Sequence, residues 1–180
     1  ALYCNTTGNA NTATGFCALR NSTTASENVA VGQRALLTNT TGHTNVAVGS
    51  SALRLNTTGH SGVAVGFEAA KNNTTAAYNT VVGACALFCN TTTGMAMEAF
   101  GFRALHSNTT GSCNMGMGFC ALYSNTSGCF NTASGYRAMA TSTTGCNNAS
   151  YGSYSLAANT TGSYNTAIGF NSMKCNTTGT

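Results

Sequence analysis

Cysteine, histidine, glutamate and the hydroxyl residues are the side chains through which this chain would do chemistry. It carries nine Cys and three His, but Asp and Glu together number only three. Acid–base or nucleophilic catalysis needs such groups to converge: two carboxylates in one pocket, or a nucleophile with a His and an orienting acid. Glu27, Glu68 and Glu98 are the whole acidic complement, and they are widely separated. With no Asp and no His–acid pair, a hydrolase triad has no support, and no catalytic residue is expected. No Cys-x-x-Cys occurs, and His43, His60 and His106 show no ligand spacing around them. No metal site and no cofactor are therefore expected.

The spacings carry a different message. Cys129 and Cys146 are 17 residues apart, and so are His43 and His60. That is the period of the whole chain. Counted from an Ala-Leu pair, copies begin at Ala1, Ala18, Ala35, Ala52, Ala69, Ala86, Ala104, Ala121, Ala138, Ser155 and Ser172. The consensus is Ala-Leu-x-x-Asn-Thr-Thr-Gly-x-x-Asn-x-Ala-x-Gly-x-x. Position 6 is Thr in every copy, from Thr6 to Thr177, and position 15 is Gly in every complete one, from Gly15 to Gly169. The sixth copy has one residue more, within Thr91-Thr92-Thr93. Residues 1–180 thus read as a single array of ten complete repeats and a partial one. The array opens and stops inside a repeat without a polar cap, as expected for a segment of a longer fibre or a unit that stacks end to end.

A period of 17 is too short for helical or propeller repeats, which take ~33–45 residues. It suits one rung of an all-β solenoid, a parallel β-roll with two or three strands of ~4–5 residues per rung joined by tight turns. Asn28-Val29-Ala30-Val31-Gly32 and Asn45-Val46-Ala47-Val48-Gly49 alternate with period two and are rich in β-branched residues. Asn-Thr-Thr-Gly reads as a strand end entering a turn. Rungs rising ~4.8 Å would build a rod of roughly 50 Å.

Position 13 is small and position 2 mostly Leu, which suits a narrow interior. Positions 12 and 14 point the other way yet are often apolar, as in Val63/Val65 and Met115/Met117. A strand apolar on both faces is usually covered on both, so a second chain is expected over this face. Nine of the ten charged residues fall at positions 3, 12, 16 or 17. The seven Lys and Arg form no run in sequence, so no nucleic-acid partner is expected. No apolar run approaches the ~18–20 residues of a membrane span, and none is expected.

The Asn-Val-Ala-Val-Gly strands, and Asn165-Thr166-Ala167-Ile168-Gly169, resemble the head repeats of trimeric autotransporter adhesins of the YadA type. The longer Asn-Thr-Thr-Gly-x-x-Asn-Thr-Ala-x-Gly unit is similar to repeats of tail-fibre and surface-fibre proteins. The resemblance implies a left-handed parallel β-roll with three chains around a common axis. It further implies an adhesive or spacer role at a cell or virion surface. The expected function is a structural component of an extracellular fibre, self-assembling as a homotrimer or an end-to-end filament. The alternative is a Thr/Asn ladder that binds ice or a carbohydrate surface. Against it, adjacent Thr6 and Thr7 should point to opposite faces.

Stacked rungs would place Cys129 and Cys146 within disulfide reach, and Cys85 and Cys89 could close the Ala-Leu corner. The odd total leaves a free thiol or a bond to another chain; equally, several cysteines could stand in for Ser or Ala. Twelve Asn-x-Ser/Thr sequons occur. Asn5, Asn21, Asn39, Asn56, Asn73, Asn90, Asn108, Asn125, Asn159 and Asn176 are the candidate glycan acceptors. The competing reading makes Asn-Thr-Thr-Gly a turn whose Asn and Thr hydrogen-bond along a ladder. A glycan is wider than one rung, so the ladder is expected to be general, and glycans, if any, to sit at some rungs only.

Overall fold

The computed structural model describes residues 1–91 and 94–180. The described residues contain no helix. Each complete repeat supplies one strand from its positions 12 to 14. These are β1 (Thr12–Thr14), β2 (Val29–Val31), β3 (Val46–Val48), β4 (Val63–Val65) and β5 (Thr80–Val82), then β6 (Glu98–Phe100), β7 (Met115–Met117), β8 (Thr132–Ser134), β9 (Ala149–Tyr151) and β10 (Thr166–Ile168). All ten join one parallel sheet in sequence order, so the chain is an all-β solenoid of 17-residue rungs. Register follows the repeat: Ala30 lies beside Ala47, and Ala47 beside Ala64. Thr80 pairs with Glu98, so the longer sixth copy keeps its strand in register. Two of its three threonines, Thr92 and Thr93, lie outside the described residues.

Strands are fewer and shorter than the period suggests: one of three residues per rung. The physical reason is the backbone at the corners. Positions 2, 10 and 17 are left-handed in every rung described, as at Leu36 (φ 49°), Thr44 (φ 55°) and Ser51 (φ 61°). Such residues end an extended run. Each non-glycine residue there costs roughly 1–2 kcal/mol, so the neighbouring rungs must hold it in place. They do so all round the coil. The amides of Leu36, Thr38, Thr40 and Val46 donate to carbonyls of the following rung, and those of Thr44, Gly49 and Ser51 to the preceding one. Parallel rung-to-rung bonding thus extends well beyond the sheet.

The interior is a column of small and medium side chains. Ala30, Ala47, Ala64 and Ala99 from the strands meet Ala18, Ala35, Ala52 and Leu19, Leu36, Leu87 from the corner, all fully buried. Full burial of each such Leu stabilises by about 1.5–3 kcal/mol. Where Ser replaces Ala inside, its hydroxyl is satisfied: Ser150 donates to the Ser155 carbonyl (3.0 Å), and Ser155 to that of Ala167 (3.1 Å).

Candidate functional site

A coil this regular turns each repeat position into a column of side chains, so candidate sites are columns. Two of them face inward and are made of asparagine. At position 5 the Nδ2 of Asn56 donates to Asn39 Oδ1 (2.9 Å), that of Asn73 to Asn56 Oδ1 (3.2 Å) and that of Asn90 to Asn73 Oδ1 (2.9 Å). The same amides reach the carbonyl at position 8 of their own rung, as from Asn56 to Gly59 (2.9 Å). At position 11 asparagines in neighbouring rungs bind one another too, as Asn45 Nδ2 donates to Asn28 Oδ1 (3.2 Å) and to the Gly59 carbonyl of the following rung (2.8 Å), and Gly62 and Met97 interrupt the column. Buried amides are tolerable only when paired, and these ladders pair them.

This placement bears directly on the sequons. Asn39, Asn56, Asn73, Asn90, Asn108, Asn125 and Asn159 are buried inside the coil. Their Nδ2 atoms, where a glycan would be attached, are hydrogen-bonded. A sugar on any of these seven would displace those hydrogen bonds and the neighbouring rung's packing. Asn21, at position 4, is exposed; so is Asn5, and Asn176 is half-buried, both in rungs with a neighbour on one side only. The following two threonines split by face. Position 6 hydroxyls donate along the axis, as from Thr40 to the Thr57 carbonyl (3.1 Å) and from Thr126 to that of Thr143 (3.1 Å). Position 7 is exposed wherever it is described, from Thr7 to Thr178.

The nine cysteines are all free thiols, including both candidate pairs, Cys129/Cys146 and Cys85/Cys89. At position 9 the sulfur does a hydroxyl's work. The Cys129 amide donates to Cys146 Sγ (3.1 Å) and the Ser112 amide to Cys129 Sγ (3.3 Å). Ser163 Oγ accepts from the Cys146 amide in the same way, at 3.0 Å. The Cys129 thiol itself donates to the Ser127 carbonyl (3.4 Å). Cys85 and Cys89 lie on the two sides of the Ala-Leu corner, where burial raises the Cys89 thiol above its ordinary value. His43 and His60 stack in parallel at 4.9 Å. Among the described residues no three His, Cys, Asp or Glu side chains gather as a metal-binding group.

The feature that resembles a site most closely is a groove of about 410 Å³ along the corner edge. Positions 16 and 17 form one bank, with Phe102, Arg103, Phe119, Cys120 and Arg137. Tyr123, Ser124, Ala140 and Thr141, from positions 3 and 4, form the other. Rings stack along the axis: Phe102 on Phe119 (5.3 Å) and Phe119 on Tyr136 (5.2 Å) on one bank, while Tyr123 on the other continues a position 3 stack beyond the groove, on His106 (5.2 Å) and thence Phe88 (5.3 Å). Burial and the nearby Arg103 charge lower the His106 pKa. Burial raises the Cys120 thiol, with Arg137 and Arg103 opposing. Sequence reasoning placed charges beside the corner but did not find this groove; the shared repeat positions of its lining were the available signal.

The described residues define the class as a tandem-repeat β-solenoid. No family model, curated protein or solved structure matches the chain. No helix of the described residues is long and apolar enough to cross a membrane.

Proposed function

We propose that this chain is a structural component of an extracellular or surface fibre, serving as an adhesive or spacer rod and not as an enzyme. The observation that supports this reading most is the outer face of the ten-stranded sheet. Positions 12 and 14 leave the interior, yet Val29/Val31, Val46/Val48, Val63/Val65 and Met115/Met117 remain half-buried or exposed there. The valine strip is continuous over three rungs, from Val29 to Val65, before Thr80 and Glu98 interrupt it ahead of Met115/Met117, and an apolar strip of this kind is what self-association covers. Chains packed through it, side by side as a homotrimer or sheathing an end-to-end filament, would dry these side chains without changing any rung. Glycans, where the chain carries them, belong on outward columns such as the position 7 threonines or Asn21.

Electron microscopy of the isolated material, at a resolution that counts chains per cross-section, tests the reading. Two or more chains meeting at the valine strip support it. A dispersed single rod with that strip uncovered by protein or glycan would refute the assembly.

A second reading rests on the exposed position 7 column, which offers a hydroxyl on successive rungs to a repeating surface such as ice. The position 6 hydroxyls bond along the axis to backbone carbonyls instead, as from Thr40 to Thr57, so the column is one residue wide. Thermal hysteresis of the purified chain decides it, and none is expected.

A further inference from the structure

All seven cations of the chain stand at position 3 or 17. Arg20, Arg54, Lys71 and Lys174 take position 3, and Arg34, Arg103 and Arg137 take position 17. Both positions line the same corner edge, because the groove described above has one on each bank. Contacts across it confirm their proximity: Lys71 Nζ meets Glu68 Oε1 at 2.7 Å, and Lys174 Nζ lies 5.2 Å from the Tyr154 ring. Glu68 is the one carboxylate on this edge; Glu27 and Glu98 occupy positions 10 and 12. Seven cations against one carboxylate thus run the length of a rod whose other columns are nearly uncharged.

We infer that this edge binds a linear acidic polysaccharide laid along the rod axis, with Arg103 and Arg137 gripping its anionic groups at the central groove. This names a ligand class for the adhesive reading above and rests on it. Three features select that chemistry. Arg103 and Arg137 are exposed and two rungs apart, about 10 Å at the ordinary strand spacing, and one rung is close to one pyranose in length. A glycan chain along the axis therefore meets the cations in step. Guanidinium forks suit carboxylate or sulfate oxygens. At the central groove the ring faces are taken up within the protein: Phe102, Phe119 and Tyr136 stack on one another, and the Arg103 and Arg137 guanidiniums lie 5.1 and 6.0 Å from the Phe102 and Tyr136 ring centres. Neutral sugars and single-stranded nucleic acids need free ring faces to stack on, so at this groove charge is the stronger handle; the more exposed rings, such as Tyr3 and Phe16, lie elsewhere on the edge.

The test is binding of the full chain to polygalacturonate and to dextran sulfate, with neutral dextran and an oligothymidylate as comparisons, over a range of salt. Saturable binding to one or both acidic polysaccharides, weakening with salt, is expected; the carboxylated and sulfated arms show which anion is preferred. Arg103→Gln/Arg137→Gln should weaken it about tenfold or more. Thr41→Glu/Thr161→Glu, an equal charge change on the exposed position 7 column outside the groove, should leave it within about twofold. Circular dichroism checks folding, and Arg20→Gln/Arg34→Gln probes the edge independently. No preference over neutral dextran, equal losses in both charge-matched variants, or tighter binding to the oligothymidylate would overturn the inference. Sedimentation measured in parallel reports assembly, so a failure of binding and a failure of the fibre reading are told apart.

Discussion

Asn125 and Ser142 mark a break in the inner asparagine ladder. Asn125 Nδ2 donates to Asn108 Oδ1 at 2.7 Å, but its own Oδ1 meets no donor. Ser142 holds the equivalent place one rung on, and its buried Oγ is also unpaired. The serine is too short to reach across the rung spacing, so one substitution leaves two orphaned polar atoms.

Restoring the missing rung should therefore stabilise the coil. Ser142→Asn would give Asn125 Oδ1 a donor and offer an acceptor to Asn159. The expected gain is about 1–2 kcal/mol, read as a higher midpoint in thermal or denaturant unfolding. Asn108→Ala, which strips the intact ladder of its bonds to Asn90 and Asn125, should cost about 3 kcal/mol. An unchanged midpoint in both variants would remove the ladder as a stabilising element.

The corners predict opposite responses at two left-handed positions. Gly101 has φ 127°, and a Cβ there would sit 2.7 Å from the Gly118 carbonyl oxygen. Gly101→Ala should cost about 3 kcal/mol or more, because backbone of the next rung must move. Glu27 is exposed at φ 61°, a conformation that Asn147 already adopts at the same repeat position. Glu27→Asn should stabilise by about 0.5–1 kcal/mol. Denaturant midpoints of the two single variants check both signs.

Cysteine at position 9 acts as an acceptor, so serine should replace it with little effect. Cys129→Ser/Cys146→Ser is expected to unfold within about 1 kcal/mol of the parent, with or without reductant. If the parent alone lost about 2 kcal/mol or more on reduction, a rung-to-rung disulfide would be present in solution after all.

His106 predicts the direction of a pH effect. Burial, then Arg103, holds its folded pKa below the ordinary 6.5. As pH falls through that ordinary value, the unfolded chain takes up a proton that the folded chain resists. Stability should fall there, and the loss should level off below the depressed folded pKa. Burial raises the Glu98 pKa above 4.5, which acts with the opposite sign at lower pH. Comparison with His106→Gln isolates the histidine: the variant should show a flatter unfolding midpoint between about pH 7.5 and 5. An unchanged slope would mean that His106 is not the group responsible.

The repeat made the fold legible because a solenoid obliges each rung to meet its own copy. Position 13 alanines and position 2 leucines had to share one interior, and Val29-Ala30-Val31 had to be a strand with two different faces. Identical spacing alone then implied parallel, in-register stacking, and the turn reading of Asn-Thr-Thr-Gly already contained the hydrogen-bonded ladder. What composition and spacing did not determine was direction. Whether position 5 turned inward depended on the left-handed corners at Leu36, Thr44 and Ser51, where ordinary side chains take a backbone that no local preference would assign. That turn carries seven sequon asparagines into the interior. Likewise, Arg103 and Arg137 are far apart along the chain, and only the winding of the rungs sets them on one groove. Stacking energy shared among many rungs, and absent from any one repeat, is what pays for those corners and so decides which side chains face out.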